Sequence, residues 1–182
     1  MHDLPRPDRE ATAEFVRAHA DGDEDATLRI FRDYGPWRFG SILWVREGLL
    51  GARCPAWNVR KDRIAHPVVS LAARAPESLD EPIPVLVGTS SGSRGSFPVE
   101  GLTADGRVTR FVPCALAWVT PRDLLWRAPG GKDRMEAWPW EVRLAWPNER
   151  TPRLSATLRD ELRSFLGRSR SFRDALAWAN AA

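Results

Sequence analysis

Hydrophobic positions change period twice along this chain. Over residues 8–34 they recur at helical spacing. Asp8 can cap a first short helix whose apolar positions are Ala11, Phe15, Val16 and Ala18. DGDED interrupts it, and a second short helix follows with Leu28, Ile30 and Phe31 apolar and Gly35 as a stop. From residue 37 the runs become short and strand-like. WRFGSILWVRE (37–47), HPVVSLAA (66–73), IPVLVG (83–88), FPVEG (97–101) and RVTRFVPCALAWVT (107–120) predict five or six strands. Pro67 stands near the start of the second, where a missing N–H is tolerated. Between the first two strands, GLLGARCPAWNVRKDRIA is expected to be one long loop, and ADG (104–106) marks a tight turn.

The period lengthens again near the end. In TPRLSATLRDELRSFLGR (151–168), Leu154, Leu158, Leu162, Phe165 and Leu166 recur every three to four positions. This predicts a helix with Gly167 as its stop and a tail or short helix after it. Short strands followed by a helix point to an α+β fold, a small and strongly bent antiparallel barrel with a C-terminal helix. The domain plan is an N-terminal helical extension (1–35), a barrel domain (36–168) with a Trp-rich insertion (127–150), and a tail (169–182). MEAWPWEVRLAW within the insertion reads as a hairpin.

Composition sharpens this picture in a few places. The 182 residues are 43% hydrophobic and 28% charged, which supports a packed core and argues against wholesale disorder. Net charge is +3, and of 27 basic residues only Lys61 and Lys132 are lysine. Arginine's planar fork suits phosphate, so the bias leans toward a nucleic-acid partner, although a plain compositional habit explains it as well. Five of nine tryptophans fall between 118 and 146, as core anchors or as stacking platforms. The polar N-terminus and the lack of a long apolar run predict a cytoplasmic protein with no membrane segment. Cys54 and Cys114 are far apart with no CxxC partner, so no metal site is expected and Cys114 is expected in the core.

VLVGTSSGSRG (85–95) carries the candidate chemistry. A Gly-Ser loop after a buried strand can turn backbone N–H groups toward an anion, with Ser90 and Ser91 adding hydroxyls and Arg94 a cation. The P-loop pattern GxxxxGK[ST] is absent, and a plain turn is the alternative. Arg60, Lys61 and Arg63 in the first long loop form either an RNA-facing rim or a solvated face.

In order, RFGSILWV, HPVVSL, VLVGTSSGSRG, FPVE and DGRVTRFVPCALAW resemble the segments of the MazF/PemK (Kid) toxin endoribonucleases over roughly residues 37–120, with the 151–168 helix in place of that family's last helix. The resemblance implies an SH3-like barrel, a homodimer, an antitoxin partner and metal-independent cleavage of single-stranded RNA without a cofactor. There the ribose 2′-OH attacks phosphorus and leaves a 2′,3′-cyclic phosphate. The family's catalytic Arg falls on His66, its loop Thr or Ser on Ser90 with Ser91 beside it, and its later loop cation on Arg94. Arg110 stands near an Arg of some members, and Lys61 and Arg63 complete the implied RNA contacts. The family's Asp is missing, because its place falls near Phe111 or Val112.

An imidazole in place of a guanidinium can exchange a proton near neutral pH. His66 is then a working acid/base, the trace of a lost active site, or an ordinary strand residue. Two rivals to the nuclease stand: a toxin-like barrel that binds nucleic acid or protein without cleaving, and an interaction protein docking through its Trp-rich segment.

Overall fold

A computed structural model describes residues 21–34, 37–54, 65–90, 95–100, 102, 107–125 and 153–181. The first expected helix, most of the first long loop (55–64) and the Trp-rich insertion lie outside the described residues. Six strands form one antiparallel sheet: β1 (Ile42–Arg46), β2 (Ala65–Ser70), β3 (Ile83–Thr89), β4 (Phe97–Val99), β5 (Thr109–Val119) and the two-residue β6 (Leu124–Leu125), in the order β4-β5-β3-β2-β1-β6. The sheet curls into a half-barrel. With its helices it makes the α+β bent architecture that the strand pattern predicts.

Strand alternation sorts the apolar residues onto two faces. Leu43, Val45, Val68, Val85, Val87, Ala117 and Val119 point to one face, and Ile42, Val69, Leu86, Phe97, Phe111 and Leu116 to the other. Helix α1 (Glu24–Tyr34) carries buried Leu28. Helix α2 (Glu47–Arg53) covers the first face with Leu50, followed by Cys54. Helices α3 (Ala156–Arg168) and α4 (Arg170–Ala181) cover the second through Leu162, Leu166, Phe172 and Leu176.

Four sequence expectations need correction. GLLGAR is helix rather than loop, because burying Leu50 in the sheet core outweighs the low helix propensity of Gly48 and Gly51. The long helix starts at Ala156, after Ser155 accepts the Leu158 N–H at 3.2 Å. The preceding Leu154 donates instead to the Gly40 carbonyl at 2.9 Å. Gly167 lies inside that helix, whose end is closed by the Ser169 N–H on the Phe165 and Leu166 carbonyls. Cys114 is exposed, because β5 bulges against β3: Leu86 to Gly88 advances two positions while Leu116 to Phe111 advances five.

Candidate functional site

One end of the sheet gathers the residues of interest. His66 is the second residue of β2 and stands opposite Val45 of β1. Continuing the β2–β3 register from Val68↔Val87 brings His66 level with Thr89, the last residue of β3. Thr89 pairs with Arg110 of β5, and Arg110 with Pro98 of β4. Directly opposed residues share a face, so His66, Thr89 and Arg110 form a row across three strands. The chain segment carrying Lys61 and Arg63 enters β2 at this end. The segment carrying Ser91 and Arg94 leaves β3 here. Those four residues lie outside the described ones.

His66 is buried, with 7% of its surface exposed. Its Nδ1 lies 3.2 Å from the Gly88 carbonyl oxygen, and its Nε2 lies 2.6 Å from Oε2 of Glu47. A carbonyl oxygen only accepts, so Nδ1 carries a proton and donates. Nε2 and Oε2 are both buried atoms, and their close approach is an ion-pair contact without hydrogen-bond alignment. Glu47 is itself buried, at 4%, and begins α2, where an acidic group suits the helix dipole.

This carboxylate is the residue that sequence reading missed. Glu47 and His66 are nineteen positions apart, and the connecting stretch reads as loop. The available signal was an acidic residue ending an apolar strand, opposite the position where the next strand begins.

Two of the remaining candidates are described. Ser90 is exposed just past β3. By strand alternation it follows Leu86 and Gly88, the parity opposite to Val87 and Thr89. Among the described residues, no hydrogen bond joins Ser90 to His66. Arg110 is half-buried and has no carboxylate partner among the described residues. By contrast, Arg53, Arg74, Arg122, Arg163 and Arg170 all pair with acids. Among the described residues no cluster of three or more His, Cys, Asp or Glu side chains could hold a metal ion. No described helix is long and apolar enough to cross a membrane.

No protein-family model, curated protein or solved structure matches this chain.

Proposed function

We propose that the chain is a MazF/PemK-like barrel of the SH3-like type that binds single-stranded RNA and does not cleave it through His66. The observation that carries this reading is the burial of His66, whose Nδ1 meets the Gly88 carbonyl and whose Nε2 is shut in against the Glu47 carboxylate. A general base must reach the proton it removes, directly or through one water. The Nε2 of His66 is sealed inside the fold, out of reach of a ribose 2′-OH. The binding half of the proposal rests on Arg110, a cation without a described acidic partner, at the end of the sheet where the segments with Lys61, Arg63, Ser91 and Arg94 attach. Unstacked RNA is the substrate form whose phosphates and bases such a rim reaches. An antitoxin-like peptide and a second copy of the chain are the further partners this reading carries.

The nuclease is the second reading, favoured by the same convergence of strand ends around His66. One experiment separates the two. A long mixed-sequence RNA is incubated with the protein in EDTA, and binding is followed by fluorescence anisotropy over a salt series. Intact RNA with salt-sensitive binding is the expected result. Cyclic-phosphate fragments that disappear in His66→Ala would establish the nuclease instead. Absence of both binding and cleavage would remove RNA as the partner.

A further inference from the structure

Helix α3 presents one ordered stripe to solvent. Thr157, Glu161, Ser164 and Arg168 follow one another at steps of four, three and four, so they share a face of the helix, and all four are exposed. With Phe165 and with Phe97 of the edge strand β4 they line an open groove of about 750 Å³. The two phenylalanine rings pack with centroids 5.6 Å apart and give the groove an apolar floor.

The charges along the stripe are segregated. Arg168 lies two turns beyond Glu161, about 10 Å further along the axis at 1.5 Å per residue. Neither has an ion-pair partner among the described residues. The other charge lining the groove, Asp160, is already matched by Arg163 at 2.7 Å. Midway between Glu161 and Arg168 stands Ser164, whose small side chain leaves room for a second helix to come close.

We propose that a second copy of the chain docks on this face, α3 against α3 in antiparallel sense about Ser164. A two-fold contact needs a self-complementary surface: where residue i meets j, j also meets i. Glu161 and Arg168 satisfy that rule. Antiparallel pairing sets Glu161 of each copy beside Arg168 of the other, twice per dimer, and opposes the two helix dipoles. Parallel pairing would set carboxylate against carboxylate and guanidinium against guanidinium. This gives the second copy in the RNA-binding reading a surface, yet it needs neither Arg110 nor RNA.

Charge reversal tests the pairing. Sedimentation equilibrium of the full chain, up to about 100 μM, gives the dimer Kd. A reducing buffer keeps exposed Cys114 from cross-linking copies. Wild type is expected to dimerise in this range. Glu161→Arg places two arginine–arginine contacts in each dimer, and Arg168→Glu two glutamate–glutamate contacts. Each should raise Kd ~10-fold or more. An equimolar mixture of the two variants regains both opposite-charge contacts, so a heterodimer within ~3-fold of the wild-type Kd is expected. Both positions are exposed, and should either reversal fail to fold, Glu161→Gln and Arg168→Gln replace the pair, each expected to raise Kd ~3-fold. A monomeric wild type at the highest concentration overturns the proposal, whatever else covers the groove. So does a dimer indifferent to both single changes, or a mixture as weak as its components. RNA is absent throughout, so failure here is separate from failure of RNA binding.

Discussion

A β-carbon on Gly88 would fall 2.7 Å from Cγ2 of Thr109 and 3.0 Å from both Cε1 of Phe111 and the Pro67 carbonyl oxygen. The absent side chain is what lets β3 run between β2 and β5 and deliver its carbonyl to His66. Gly88→Ala is therefore expected to destabilise the protein by about 1–3 kcal/mol, the range for overpacking a tight site. Thr109→Ser removes the nearest of the three clashes and should restore part of that loss. Urea midpoints of the two single variants and the double variant, at unchanged slope, check this. A Gly88→Ala midpoint equal to wild type would show that the strands have room to part.

The Glu47–His66 pair differs from every other described ion pair in its burial. Its side chains are 5% and 9% exposed, whereas those of Arg74 and Glu77 are 65% and 85% exposed. Removing one buried partner leaves the other polar group stranded, so Glu47→Ala and His66→Ala should each cost about 3–5 kcal/mol. The double variant should cost clearly less than the two losses added together. A double-mutant cycle by denaturant titration measures that difference. Additive losses would mean that the two side chains do not interact.

Much of this architecture is legible from period alone. IPVLVG, FPV and the apolar face of the last long helix fall where the sequence puts them, because each buries a regular set of side chains. The misses share a cause. Helix α2 has two glycines in seven residues and only Glu47 and Leu50 buried, so its stability comes from contacts with distant strands. Cys114 sits in an apolar string, yet a bulge that no local pattern announces turns it outward. His66 was visible as a candidate. Its environment was not, since Glu47 and Gly88 are brought to it only by strand register.

Gly167 offers the opposite test to Gly88. It lies in the last turn of α3, is exposed, and a β-carbon there would meet nothing within 4 Å. Gly167→Ala should stabilise the protein by about 0.5–1 kcal/mol, through higher helix propensity and a less disordered unfolded chain. Leu162→Ala on the same helix, at a fully buried position, should cost about 2–5 kcal/mol. Thermal melts of the two variants, moving in opposite directions, check the pair. A loss of stability in Gly167→Ala would place a helix stop at that glycine after all.

Arg122 ties α1 to the sheet end by meeting Glu24 at 2.5 Å and Asp80 at 2.7 Å. The hydrogen bonds it donates to Glu24, and then to Asp80, hold its guanidinium pKa above the ordinary value. All three side chains are more than a third exposed, at 39%, 61% and 71%, so water and salt screen the cluster. Arg122→Gln should cost less than about 1 kcal/mol in dilute buffer, and the difference should vanish near 1 M salt. Paired denaturant curves at low and high salt measure it. A cost that persists at high salt would mean that packing by the arginine stem, rather than its charge, holds α1.

Arg110 is where stability and binding should separate. With no acidic partner among the described residues, its charge does little to hold the fold, and Arg110→Gln should leave the urea midpoint within about 0.5 kcal/mol of wild type. If this end of the sheet meets RNA phosphates, the same substitution weakens binding and lowers the slope of log affinity against log salt by about one. Arg122→Gln serves as the comparison, since that arginine is already spent on Glu24 and Asp80 and should leave the slope unchanged. Anisotropy titrations of the three proteins over a salt series measure this. Equal slopes for wild type and Arg110→Gln would place the RNA elsewhere on the molecule.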